Sequence, residues 1–290
     1  MLMIGPPGTG KTMLASRLST ILPELTDEEA LETAAISSIS GKKINLNSWK
    51  NRPFRSPHHT ASSVALVGGS SPPRPGEISL AHNGILFLDE LPEFGRNVLE
   101  ALREPMESKC VTISRAAYQA KFPANFQFIA AMNPCPCGNL GSNSKECRCT
   151  AEQIQRYQTR ISGPLLDRID MHIEVSNLPR GILTKVTNAS SETSSMIKAR
   201  VSSVRSIQIL RSNKINAFLS VKEIEKYCAI SDENKNFLEN AIERMGFSAR
   251  VYHRILKIAR TIADLENASE IGKTHLAESL SYRKIKKINS

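Results

Sequence analysis

Aromatic residues are scarce in this 290-residue chain: 5%, with Trp49 the single tryptophan. So thin a supply argues against a base-stacking platform of the kind that grips single-stranded nucleic acid. Long hydrophobic runs are missing too; none approaches the roughly 20 residues needed to span a bilayer, so no membrane partner is expected. The start, Met1-Leu2-Met3-Ile4, has neither a basic leader nor a cleavage site and does not read as a signal peptide. A cytoplasmic address is expected, where the six cysteines serve as reduced thiols or metal ligands rather than disulfides. No internal repeat and no coiled-coil heptad occurs. Acidic residues run short, 28 against 38 Lys and Arg, leaving a formal net charge of +10. That excess suits a polyanionic partner without demanding one. It is uneven: residues 1–160 carry a net +3 and residues 161–290 a net +7, with four cations in Arg283-Lys284-Ile285-Lys286-Lys287. A solvated chain end accounts for that tail equally well.

What is present reads as globular: 40% hydrophobic and 23% charged residues, in a length that suits one large domain or two ordinary ones. Leu2 to Ile4 reads as a buried strand, followed by a helix over about Lys11 to Ile21 with Met13, Leu14, Leu18 and Ile21 on one stripe. A second helix, Asp27 to Ser37, opens on Thr26 with Glu29 in capping-box register. Arg52 to Gly76, rich in Pro, Ser and Gly, reads as loops and short strands. Ile85 to Leu88 is an apolar strand, Asn97 to Glu107 is helical, and Val111–Ser114 and Phe126–Ala131 read as strands around a hairpin. A helix capped by Thr150 follows over Ala151–Ser162, then a last strand, His172–Val175. Beyond Pro179 the strands stop. A polar linker over 180–195 leads into helices near 196–211, 221–228, 232–245, 248–265 and 274–283. The expectation is an α/β domain with a parallel sheet over 1–179, then an all-α domain over 196–290.

Gly5-Pro6-Pro7-Gly8-Thr9-Gly10-Lys11-Thr12 is a complete Walker A motif between a strand and a helix. Its glycines let backbone N–H groups wrap an anion, and the helix N-terminus adds partial positive charge. Lys11 is expected to reach the β- and γ-phosphates of ATP and Thr12 to hold Mg²⁺ through its hydroxyl. The apolar strand ending in Asp89-Glu90 is the matching Walker B arrangement: Asp89 for Mg²⁺, Glu90 to polarise the attacking water.

With these motifs, Leu86-Phe87-Leu88-Asp89-Glu90-Leu91-Pro92-Glu93, Ala130-Ala131-Met132-Asn133-Pro134 and Leu165-Leu166-Asp167-Arg168-Ile169-Asp170 resemble the magnesium-chelatase-like AAA+ ATPases, nearest the YifB/ComM branch. Gly246-Phe247-Ser248-Ala249-Arg250 and Ala259-Arg260-Thr261-Ile262-Ala263 extend the resemblance into that family's helical lid, so it covers nearly the whole chain. The resemblance implies that Asn133 is the sensor orienting water beside Glu90, that Arg168 is an arginine finger for a neighbouring subunit's ATP, and that Arg250 is a second sensor at the γ-phosphate. A salt bridge of Arg168 to Asp167 or Asp170 is the structural alternative. Arg254 and Arg260 share the helix of Arg250, so the choice of Arg250 rests on the motif. The resemblance also makes Val111–Phe122 a pore hairpin on which Arg115 and Lys121 track a phosphodiester backbone, or else carry plain surface charge. Full-length members have an N-terminal Lon-protease-like domain and a segment before the Walker A strand that completes the adenine pocket. A chain starting at Met1 is therefore expected to be a fragment or a truncated product with incomplete base recognition.

Cys135-Pro-Cys137 and Cys147-Arg-Cys149 can close a tetrahedral Zn²⁺ site, although Cys-x₂-Cys is the commoner spacing; the alternative is four reduced thiols. Cys110 and Cys228 read as packed small apolar residues, and His58-His59 as structural or substrate-loop residues, not ligands. Three functions stay open: a hexameric DNA motor like the branch's branch-migration helicases, a chaperone-like ATPase acting on a protein partner, and an inactive remnant.

Overall fold

The three inner strands of the central sheet, Leu2–Ile4, Ile85–Leu88 and Gln127–Met132, carry a single polar side chain, Gln127, which suits burial on both faces of a parallel sheet. In the computed structural model, which describes residues 1–41, 46–115, 118–141, 146–177 and 192–283, nine strands follow in chain order. They are β1 (Leu2–Ile4), β2 (Phe54–Arg55), β3 (Gly68–Gly69), β4 (Arg74–Pro75), β5 (Ile85–Leu88), β6 (Cys110–Arg115), β7 (Tyr118–Pro123), β8 (Gln127–Met132) and β9 (His172–Glu174). The main sheet runs β2-β5-β8-β1-β9, with β2/β5, β5/β8 and β8/β1 parallel. Ile4 pairs with Met132, so β1 and β8 end level, while β5 ends two residues earlier, with Leu88 opposite Ala130; all three strands point the same way. The loops after all three strands therefore meet at one sheet edge, the usual ligand position in such sheets.

Alternation sorts the core. Leu2, Leu86, Leu88, Phe128, Ala130 and Met132 face one layer with Leu91, Leu99, Leu102 and Leu165. Met3, Ile85, Phe87, Ile129 and Ala131 face the other, covered by Ala15 and Leu18 of the helix Lys11–Ile21. The stripe expected on that helix is corrected here: Met13 and Leu14 are 60% and 45% exposed, and the inward row is Lys11, Ala15 and Leu18. Burial of Lys11 fixes the helix's rotation, and residues four and seven further on follow it inward.

The helix Asp27–Ile39 carries the expected Thr26/Glu29 capping box, and Ala151–Gln158 opens on a Thr150/Gln153 box. The helical stretch expected over 97–107 is two helices, Arg96–Ala101 and Arg103–Ser108, and Ser63–Val67 is a short helix within the Pro/Ser/Gly-rich insert. β6 and β7 pair antiparallel, Val111 opposite Phe122, which is the hairpin that the resemblance places at Val111–Phe122; the strand read over Phe126–Ala131 belongs instead to β8 in the main sheet, a second correction. Val111, Ile113 and Phe122 turn inward, while Thr112, Ser114, Gln119 and Lys121 are exposed.

Residues 1–169 with 173–177 form one compact unit, and residues 192–283 with 170–172 a second. The second is helical: Ser194–Ser212, Val221–Tyr227, Asp232–Met245, Ala249–Leu265 and Lys273–Ser281. Its core is Leu219, Ile224, Leu238, Val251, Ile255, Ala259, Ala263, Leu276 and Leu280. Most of the linker read over 180–195, and the cations after Arg283, lie outside the described residues. No helix among the described residues is long and apolar enough to cross a membrane.

Candidate functional site

The loop between β1 and its helix turns through Gly8 (φ 78°) and Gly10 (φ 82°), a left-handed backbone that glycine adopts without a Cβ penalty. The turn folds Lys11 back under the loop, leaving it 8% exposed. Its Nζ donates to the carbonyls of Gly5 (2.7 Å) and Pro6 (2.8 Å) and to Oδ1 of Asn133 (3.2 Å). Burial pushes the ammonium below its ordinary pKa, with Asp89 pulling the other way. A buried cation bonded to neutral oxygens is a strong attractor for an anion. One residue on, Thr12 Oγ1 donates to Asp89 Oδ2 at 2.5 Å. A hydroxyl and a carboxylate at this spacing are the hard oxygen donors that suit Mg²⁺, so the residues present fit both phosphate and metal.

Asp89 and Glu90 sit where β5 leaves the sheet. Asp89 Oδ1 accepts the Glu90 N–H at 2.9 Å, and Glu90 takes a left-handed backbone (φ 51°, ψ 48°). The turn throws the Glu90 side chain outward, to within 3.3 Å of His59 Nδ1. His59 packs against His58 (ring centroids 4.1 Å) and edge-on to Phe94 (6.4 Å). Ser56, Pro57, both histidines, Asp89 and Glu90 line a cavity of about 240 Å³. Sequence reasoning left His59 without a partner, because Glu90 reaches it only through the β2/β5 pairing. It also missed Tyr157, a buried residue whose hydroxyl receives the Asn133 N–H. Burial, and then Glu93, push that phenol up to about 12.

The four cysteines follow Asn133 directly. Cys135 is fully buried; its Sγ lies 3.4 Å from that of Cys137 and 3.7 Å from that of Cys147, and Cys137 and Cys147 are 3.6 Å apart. With Cys149 included, all four sulfurs lie within 4.8 Å of one another. A tetrahedral zinc with bonds of about 2.3 Å sets its sulfurs about 3.8 Å apart, so the cluster has the dimensions of a closed Cys₄ site. Backbone N–H groups of Asn139 and Arg148 bring the Cys137 thiol down to about 6, whereas burial lifts Cys135 to about 12.

The arginines differ in setting. Arg168 is 9% exposed, donates to the Pro164 carbonyl (2.8 Å) and pairs with Glu107 (2.7 Å), a partner distinct from the Asp167 and Asp170 considered from sequence. Asp170 pairs with Arg254. Arg260 is buried against Asp264 (3.0 Å) and the carbonyls of Ala268 and Ser269. Arg250 is exposed in the first turn of Ala249–Leu265. On the hairpin, Lys121 is exposed opposite Thr112; the side chain of Arg115 lies outside the described residues.

Comparison with known proteins comes to the same point. The family model for magnesium chelatase, subunit ChlI, matches residues 1–183, and the model for the ChlI C-terminal region matches residues 191–283. The chain is 55% identical to competence protein ComM of Haemophilus influenzae, over 98% of this chain and 55% of that protein. It is 51% identical to YifB of Escherichia coli, over 99% of this chain and 56% of the other. A weaker likeness, 22% identity, links 77% of the chain to 23% of DNA helicase MCM8 of Xenopus laevis. The chain thus spans about half the length of the curated relatives ComM and YifB.

Proposed function

The chain belongs to the magnesium chelatase ChlI family of AAA+ ATPases, and from that premise we propose that it hydrolyses Mg-ATP to move or remodel a macromolecule, DNA foremost. The carrying observation is the buried Lys11 ammonium, bonded to neutral oxygens, one residue before a hydroxyl 2.5 Å from a carboxylate. Lys11 and the N–H groups from Gly8 to Thr12 hold the phosphates. Mg²⁺, held by Thr12 and Asp89, neutralises charge on the phosphate oxygens when bound. Glu90 takes the proton of the attacking water and Asn133 orients that water. In a ring of six copies, Arg168 leaves Glu107 to serve a neighbour's γ-phosphate, and Arg250 serves as the second sensor. The four cysteines hold one structural zinc.

The net charge of +10 and exposed Lys121 support DNA as the substrate to try first. The names of two relatives, a competence protein and a DNA helicase, point the same way. The ChlI match supports a second reading, an ATPase that remodels a protein partner. Two variants test the ATP chemistry. Lys11→Ala is expected to abolish nucleotide binding, because Lys11 acts on phosphate in the ground state. Glu90→Gln is expected to keep binding and stop turnover, because Glu90 acts only as the water reacts. Hydrolysis at the parent rate by Glu90→Gln refutes the assignment of the base. ATPase stimulation by duplex or branched DNA separates the DNA motor from the protein remodeller; no hydrolysis under any condition leaves an inactive remnant.

A further inference from the structure

The cysteine loop does not hang free of the nucleotide site. Gly138, the residue after Cys137, is buried with φ +78° and lies flat against the phosphate loop. A Cβ there would meet Pro7 Cδ at 2.6 Å and Cγ at 3.1 Å, with Asn133 Cγ at 3.8 Å. Only glycine lets the two loops approach this closely. The turn is held by the Gly138 N–H donating to the Cys135 carbonyl at 2.9 Å.

A second path runs through the chain itself. Cys135 is two residues from Asn133, whose side chain accepts from Lys11. Between them the Pro134 carbonyl accepts from Gln158 Nε2 at 3.1 Å, and Tyr157 receives the Asn133 N–H. The four-sulfur cluster thus reaches the phosphate loop twice, through Gly138 onto Pro7 and through Asn133 onto Lys11. Inside the cluster, residues 135–137 and 147–149 meet at their thiols, at the Arg148 N–H that bonds to Cys137 and at the Cys137 N–H that bonds to Cys149.

We infer that the Cys135/Cys137/Cys147/Cys149 site, loaded with a soft divalent cation such as zinc, is a brace on the phosphate loop that sets its grip on nucleotide. This rests on the ATP and zinc readings above and adds a link between them. Metal bonds fix the Cys135–Gly138 turn, Gly138 fixes Pro7, and Pro7 fixes the path of the loop whose carbonyls hold Lys11. Without the metal, the turn keeps its Gly138 N–H bond to the Cys135 carbonyl, but only weak thiol contacts and N–H bonds to sulfur tie it to residues 147–149; the loop then samples more conformations, and nucleotide binding costs more ordering entropy. Cys135, Cys137, Cys147, Cys149 and Gly138 are positioning residues; none touches phosphate.

The test measures zinc content by elemental analysis, affinity for a fluorescent ATP analogue with Mg²⁺, and thermal unfolding, all on the full chain. The parent is expected to hold one zinc. Cys147→Ser/Cys149→Ser is expected to lose the zinc and bind the analogue about tenfold more weakly, the usual scale for a lost supporting contact. Cys149→His, which keeps four zinc ligands, is expected to restore both. Gly138→Ala keeps every thiol and is expected to retain zinc yet bind the analogue about tenfold more weakly. Its melting temperature is expected to fall by only a few degrees, a split that a merely structural role would not produce. Parent-like affinity in zinc-free protein overturns the brace while leaving the zinc reading intact. A zinc-free parent that binds nucleotide overturns the zinc reading and the brace together; a parent that binds zinc but no nucleotide overturns the ATP reading and, with it, the brace. If the double-serine variant does not fold, Gly138→Ala decides alone, and parent-like affinity there refutes the proposal.

Discussion

Asp264→Asn in the helical unit offers a calculable perturbation. The Asp264 side chain is 1% exposed and accepts from Arg211 at 2.6 and 2.8 Å, Arg260 at 3.0 Å and Asn216 at 2.9 Å. These bonds tie the end of Ala249–Leu265, the helix that begins beside Arg250, to Ser194–Ser212 and to the Asn216 turn. Burial pushes the carboxyl up, but the bonds from Arg211 and Asn216 and the charges of both arginines outweigh it and hold the carboxyl below its ordinary range. The asparagine keeps the shape, removes the charge and turns an N–H₂ toward donors. Breaking a buried ion pair from one side costs about 3–5 kcal/mol; taking about 3 kcal/mol for this isosteric change, a unit of this size loses roughly 12–24 °C in melting temperature. Circular dichroism of the full chain, parent against variant, reads the shift. Its pH dependence has a fixed sign. A lowered carboxyl stabilises fully above the unfolded value, near 3.9, and the stabilisation fades as pH falls through the folded value. The gap is therefore expected to be flat from pH 8 to about 5 and to close below about pH 4. A shift under about 4 °C at pH 7, equivalent to less than about 1 kcal/mol, refutes the network as a main support of this unit.

Two further outcomes bear on the site. Mixing Arg168→Ala with Lys11→Ala is expected to restore ATPase activity to two inactive proteins, because a mixed interface pairs an intact loop with an intact finger; full activity from a proven monomer ends the finger assignment. His59→Ala is expected to leave nucleotide affinity unchanged and to lower kcat, by up to roughly 10²-fold if the Glu90 carboxylate drifts by about 1 Å. Equal losses in affinity and kcat would mean that the histidine loop only supports the fold.

What could be read from the sequence, and what could not, follows the range of the contacts. Lys11, Thr12 and the glycines form a local device: strand, turn and helix start within a dozen residues, so spacing alone brought them together. Cys135 to Cys149 is nearly as local, and its four sulfurs converge within 4.8 Å. Legibility failed where a partner lies one or more strands away. The apolar run Phe126–Ala131 reads as a neighbour of the hairpin, and only its parallel register with β5 and β1 places it in the main sheet. His59 looked idle because its partner arrives by way of the β2/β5 pairing. The apolar stripe on the first helix misled for a different reason. Met13 and Leu14 are the larger hydrophobes, but the helix turned Lys11 inward, exposing both. A lysine buried under a glycine loop costs stability that apolar periodicity would never choose, so the departure from the apolar pattern itself marks the position where an anion belongs.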